Sequence, residues 1–203
     1  KADYGKGAAI PVDLEKPATI KDAIQLSAQA LGGLDALIVG LQSAKAVTLT
    51  DPEYMTHVQQ LTTRNISMTA HLVNSAVPFF IGRKKGKILF LVPQLSLIGA
   101  EGESAAALTR GALIPYSRAL ARELLSSQVT VNSMVVGLTE DDLLAREPKM
   151  TIKDSEKKIL AQISMTGRVI RSEEVAQATA YLMSAQSDSI TGQAIHVTGG
   201  LGI

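Results

Sequence analysis

The stretch 87–137 constrains this chain more than any other part of it. An uncharged run, Ile88-Leu-Phe-Leu-Val92, leads into a loop, then helix formers over about 104–127, then a second run of strand formers over 129–136 that ends at Gly137. Strand formers, helix formers and strand formers in that order are the pattern of a parallel βαβ unit.

Composition narrows the classes that can contain such a unit. The chain has 203 residues, enough for one α/β domain with a substantial core. A net charge of +1 gives no basic footprint for nucleic acid and no acidic tail for a cationic partner. Cysteine is absent, so disulfides, thiolate catalysis and cysteine metal sites are excluded. His57, His71 and His196 have no metal-ligand spacing. The longest apolar stretches are broken by Asn65, His71, Asn74 or Pro93, so no membrane span is expected, and no signal-peptide pattern opens the chain. The expectation is a soluble, intracellular protein of the cytoplasm.

Three segments carry a family likeness. Gly86-Lys-Ile-Leu, Ser117-Arg-Ala-Leu-Ala-Arg-Glu-Leu124 and Val129-Thr-Val-Asn132 resemble, with no gap between them, a strand, helix and following strand of the short-chain dehydrogenase/reductases, especially their 3-oxoacyl-carrier-protein reductase branch. Gly167-Arg168, Glu173-Glu-Val-Ala176 and the run 190–200 continue the likeness, with Thr198 in place of the usual aspartate. The resemblance implies an α/β fold, a doubly wound parallel sheet (Rossmann-like) in a single domain over 1–203. In that family a βαβ segment with a glycine-rich phosphate turn precedes the point where Lys1 stands, so the chain is expected to be N-terminally incomplete. A strand over 8–12 would then have no neighbour joining it to the sheet.

The same alignment locates the chemistry. The family places a serine after the first strand, a tyrosine thirteen residues on and a lysine four beyond that; these slots hold Pro93, Ala106 and Arg110. In the family the phenol moves the proton, the lysine lowers the phenol's pKa and holds the nicotinamide ribose, and the serine positions the substrate. Ala106 has no proton to give, and Pro93 has neither a hydroxyl nor a backbone donor. Arg110 can bind a ribose hydroxyl but has no acid to activate. No shifted pair replaces them, since Tyr4, Tyr54, Tyr116 and Tyr181 all lack a lysine four residues later. Asn65 alone matches its family position, where it holds a water linked to the lysine. An asparagine inside a helix also satisfies a local backbone distortion, and both readings stand.

The cofactor positions read as vestigial too. Asp13 stands where the family's aspartate bonds the adenine, or else it is a polar residue capping the following helix. After the strand 34–40 the family continues Asn-Asn-Ala-Gly, whereas Leu41 and Gln42 place side chains where backbone passes under the ribose. Past Gly137 the threonine that touches the nicotinamide amide is replaced by Asp141, within Glu140-Asp-Asp142. Three carboxylates repel a pyrophosphate, unless they serve a partner or are merely solvated. The segment 143–158 corresponds to the family's substrate lid.

Elsewhere, a helix is expected over about 17–30 with a glycine stop at Gly32-Gly33, and another from a capping box at Thr50-Asp-Pro-Glu53 to about Ala76, stopped by Pro78. Met55, Val58, Leu61, Ile66, Leu72, Val73 and Val77 would form its buried face. Pro115 falls inside the helix 104–127, where it should cost roughly 3 kcal/mol. The resemblance implies a catalytically silent subunit that binds no cofactor itself and joins an active homologous subunit carrying NAD or NADP. The hetero-oligomer would form through helices about 50–77 and 104–127 and the C-terminal strand. Two other readings stay open: an active NAD(P)-dependent 3-oxoacyl reductase using displaced groups such as Ser96, Ser104 or Thr109, and a non-catalytic dinucleotide-sensing regulator.

Overall fold

The computed structural model describes residues 7, 9–13, 16–41, 45–139 and 165–201. Four strands, β1 (Ala36–Gly40), β2 (Gly86–Pro93), β3 (Val129–Val136) and β4 (Ala194–Val197), form one sheet in the order β1-β2-β3-β4, every neighbouring pair parallel. Parallel neighbours require helical crossovers: α1 (Pro17–Leu31) precedes β1, α2 (Tyr54–Leu61) and α3 (Met68–Arg83) link β1 to β2, and α4 (Leu95–Ile98), α5 (Ser104–Arg110) and α6 (Leu113–Glu123) link β2 to β3. Helix α7 (Ser172–Met183) lies between β3 and β4.

The alternation of strand side chains divides the core in two. Ile88, Phe90, Val92, Val129 and Val131 face a cluster with Ile24 of α1, Val73, Ala76 and Phe80 of α3, and Leu113, Leu120 and Ala121 of α6. Leu89 and Met134 face the other way, onto Leu182 of α7. Covering both faces explains why β2 is continuously apolar from Ile88 to Pro93. The fold is therefore the expected α/β, Rossmann-like parallel sheet.

Four local expectations change. Residues 9–13 form no strand, since no described strand lies beside them to take their backbone hydrogen bonds. Pro78 does not stop its helix, because α3 runs on to Arg83 with Ala76 and Phe80 fully buried beneath it, and that packing offsets the lost bond. The capping box before α2 is not made; the backbone N–H of Glu53 donates instead to Asp51 Oδ1 at 2.8 Å. The helix 104–127 is divided at Gly111 and Ala112, which puts Pro115 in the first turn of α6, where a missing N–H costs nothing.

Helix α1 ends as anticipated, with Gly32 left-handed at φ 76° and Gly33 N–H donating to the Ala28 carbonyl at 2.8 Å. Between α2 and α3 the chain adopts a π-helical segment, Thr62–Ser67, that buries Asn65. The extra residue per turn shifts the apolar stripe: Leu61, Met68, Val73 and Ala76 are buried, while Met55 and Ile66 are exposed.

Candidate functional site

In open parallel sheets, ligands meet the protein at the carboxyl ends of the strands. That rim contains Leu41 after β1, Pro93 and Gln94 at the end of β2, and Gly137 after β3. Pro93 lies in register with Val136, and the N–H of Gln94 extends the ladder by donating to the Val136 carbonyl at 2.8 Å. The short helix α4 then turns the chain toward α5, where the Ser96 carbonyl lies 3.4 Å from the position a β-carbon on Gly111 would occupy.

Helix α5 carries Ala106 and Arg110, the two positions to which the sequence resemblance assigns the family's proton chemistry. Ala106 is 2% exposed and belongs to an apolar cluster with Leu61 and Ala105, against which Tyr54 and Val58 pack. Arg110 is 3% exposed. A buried guanidinium holds its charge but does not serve as an acid near neutral pH. The groups at Pro93, Ala106 and Arg110 thus combine a ring, a methyl group and a permanent cation.

Asn65 is brought to α5 by the π-helical segment. Its Nδ2 donates to Thr109 Oγ1 at 2.9 Å, and that hydroxyl is also 3.2 Å from the carbonyls of Ala105 and Ala106. The asparagine therefore ties an irregular helix to its neighbour through a fully buried threonine.

The remaining hydroxyls near α5 are in different states. Ser104 Oγ donates to the phenol oxygen of Tyr54 at 3.0 Å, at an exposed edge between α5 and α2. Ser96 Oγ is buried without a hydrogen-bond partner. Tyr116, on α6, is half-buried; burial and, secondarily, the Glu123 carboxylate raise its phenol above the usual tyrosine range, and its ring lies 5.7 Å from that of Phe90 in the core.

Of the cofactor positions assigned from the sequence, Asp13, Leu41 and Gly137 lie among the described residues. Asp13 is exposed, with Oδ2 3.0 Å from Lys16 Nζ, and its carbonyl accepts the Lys16 N–H and the Thr19 hydroxyl. Leu41 packs partly buried against the main core. Gly137 is buried, and a β-carbon there would lie 2.9 Å from Thr198 Cα and 3.3 Å from Gln94 Oε1. Gln42, Asp141, the rest of the acidic run and the lid segment 143–158 lie outside the described residues. Sequence reasoning passed over Gln94, a polar residue following an apolar strand, which is 3% exposed and joins β2 to the chain after β4.

The comparisons with known proteins agree with this architecture. The family described as Enoyl-(Acyl carrier protein) reductase matches residues 1–202. The 3-oxoacyl-[acyl-carrier-protein] reductases FabG of Salmonella typhimurium and Escherichia coli are each 26% identical over 205 residues, covering 98% of this chain and 80% of the relative. An uncharacterized oxidoreductase of Bacillus subtilis is 27% identical over 178 residues, 88% of this chain and 71% of its own. Among solved structures, a short-chain dehydrogenase/reductase double mutant from Serratia marcescens superposes with a TM-score of 0.83 at 21% identity, over 98% of this chain and 78% of that one. Members of this family typically bind NAD(P). With the sheet, its crossovers and the family match all in agreement, the chain belongs to the short-chain dehydrogenase/reductase family.

Proposed function

We propose that this chain is a catalytically silent member of its family, which assembles with an active homologous subunit and supports that partner's stability or site. The observation that carries the reading is Ala106: a buried methyl group, packed against Leu61 and Ala105, at the position that should supply a phenol. A proton cannot come from it, and Pro93 and Arg110 supply none either. On this reading NAD or NADP is bound by the partner, and this chain binds none. Asp13, Leu41, Gln42, Gly137 and Asp141 are then vestiges of a cofactor site.

The assembly surface is read from the helices. Met55, Ile66 and Leu108 are large apolar side chains at 63%, 41% and 64% exposure, on α2, the π-helical segment and α5. They support pairing through helices about 50–77 and 104–127, with the C-terminal strand as a second contact. In kind this resembles 2-(hydroxy(phenyl)methyl)succinyl-CoA dehydrogenase, in which one subunit type lacks the active site. A partner acting on a 3-hydroxyacyl- or 3-oxoacyl-CoA type substrate is the corresponding expectation.

Co-purification from the native source tests this. A second chain with its serine, tyrosine and lysine intact should accompany this one at a fixed ratio, and only the mixture should oxidise or reduce a nicotinamide cofactor. Purification as a homomer with turnover of its own would overturn the proposal.

A second reading, an active reductase with displaced groups, is favoured by the relatives, which are named as reductases. Against it, Thr109 Oγ1 is engaged by Asn65 and the helix backbone, and Ser104 is spent on Tyr54. Ser96 is left, and an ordinary serine hydroxyl is a poor acid near neutral pH. Turnover by the purified chain that Ser96→Ala abolishes would restore this reading.

A further inference from the structure

Three helices pack on one face of the sheet: α1 through Ile24, α3 through Ala76 and Phe80, and α6 through Leu120 and Ala121. Each leads into a strand of a parallel sheet, so all three end at the amino ends of the strands, opposite the rim that holds Pro93 and Gly137. Contacts fix these ends as neighbours. Arg83 Nη2 lies 3.1 Å from Asp35 Oδ1, the Lys87 N–H donates to the Asp35 carbonyl at 3.1 Å, and Gly86 is in register with Val129.

This end combines apolar tips with uncompensated positive charge. Leu31 closes α1 at 57% exposure, Ile81 lies in the last turn of α3 at 47%, and Leu125 opens the turn after α6 at 69%. Scattered apolar side chains are ordinary on a surface; three at one end of the fold mark an interaction face. Arg83, Lys84 and Lys85 follow Ile81 and are all exposed. Asp35 is taken by Arg83 and Asp188 by the buried Lys87, while Glu123 has Arg122 beside it in sequence. Among the described residues no ion pair involves Lys84 or Lys85. The carbonyls of Ile81 and Phe80 are capped by the backbone N–H groups of these two lysines, each at 3.2 Å, so the ammonium groups are not needed there.

We propose that the amino end of the sheet is a peripheral docking face for an anionic lipid surface, with Leu31, Ile81 and Leu125 entering the headgroup layer and Lys84 and Lys85 held against its phosphates. Charge complementarity calls for an anionic partner, and the apolar tips decide which one. A nucleic acid offers no apolar layer to three aliphatic side chains, and tips from three separate elements meet a plane rather than thread a groove. No helix among the described residues is long and apolar enough to cross a membrane, so the association is interfacial and reversible. With few charges and short apolar tips it is also weak and salt-sensitive. The face uses none of Met55, Ile66 and Leu108, so the proposal stands apart from the subunit pairing.

Vesicle flotation with the full protein tests it. The protein should float with phosphatidylcholine vesicles containing roughly one-third phosphatidylglycerol, stay behind with pure phosphatidylcholine, and come off as salt rises from about 0.05 to about 0.5 M. Lys84→Glu with Lys85→Glu should lower the partition coefficient at least about tenfold. Leu31→Ser with Leu125→Ser should lower it by about tenfold at unchanged charge. Met55→Ser with Leu108→Ser, which trims exposed apolar surface elsewhere, should float like the parent. All six positions are exposed, so these changes spare the core. No flotation with the anionic vesicles, equal flotation with neutral ones, or an equal loss in the Met55→Ser/Leu108→Ser protein would overturn the proposal. Loss on charge reversal with full binding by the Leu31→Ser/Leu125→Ser protein would reveal an anion site without insertion, and would overturn it too.

Discussion

The two ends of the sheet differ in how completely their polar groups are paired. At the amino end of β2, Lys87 is buried, but its Nζ reaches Asp188 at 2.7 Å and Ser187 at 3.1 Å, and Ser187 in turn donates to the carbonyls of Leu182 and Ser184. At the carboxyl end, Gln94 Oε1 and Ser96 Oγ are buried with no partner. Buried polar atoms are nearly always satisfied where a region serves packing alone. The carboxyl end, where open parallel sheets meet their ligands, thus leaves two buried polar atoms unpaired, and the Lys87 ammonium at the amino end is paired twice.

The most drastic way to probe that contrast is to cut into what both ends share. Phe90 is fully buried in the middle of β2, and Phe90→Ala should lower unfolding free energy by about 4 kcal/mol in a denaturant titration. That value is the yardstick for the rim. Gly137→Ala, which forces a β-carbon against the Thr198 backbone, should cost about 2–3 kcal/mol; an open, solvated rim would instead tolerate the methyl group almost without loss.

Asn65→Leu is a sharper discriminator. If the asparagine is structural, losing its bond to Thr109 should destabilise the chain by about 1.5 kcal/mol in the same assay, and a vestigial catalytic residue would show no such loss. The smallest effect belongs to α7. Arg168 donates to both carboxylate oxygens of Glu174, at 2.8 and 2.7 Å, and this pairing, with the Arg171 N–H, holds the Glu174 carboxyl at a pKa of about 2. Because the folded value lies below the unfolded one, the pair stabilises the chain above the ordinary glutamate range and is lost as pH falls toward 2. Glu174→Gln should therefore lower thermal stability slightly at pH 7 and flatten its acid limb between about pH 4.5 and 2, where variant and parent converge.

Much of the fold was legible because it rests on period and order. Alternating faces of β2 and β3, the glycine stop of α1 and the strand-helix-strand order follow from residue type alone. The misreadings came where tertiary contacts overrode a local rule. Pro78 looks like a stop, yet Phe80 and Ala76 bury the continuing helix; Pro115 looks like a kink, yet the break at Gly111 puts it in a first turn. In the site, the identities of Pro93, Ala106 and Arg110 were readable, but the partner of Asn65 was not, because Thr109 lies 44 residues away in sequence. Gln94 escaped notice for the same reason: its bond spans 107 residues.

The π-helical segment has a consequence for anyone aligning or engineering this chain. A residue added within a helix turns everything before it by about 100° relative to everything after it. Hence α2 and α3 are not one ruler but two, out of phase, and a pattern counted continuously from Met55 to Val77 assigns Ile66 to the interior when it faces outward. Deleting a single residue between Leu61 and Met68 would bring the two into step and swing Tyr54 and Val58 away from Ala105 and Ala106.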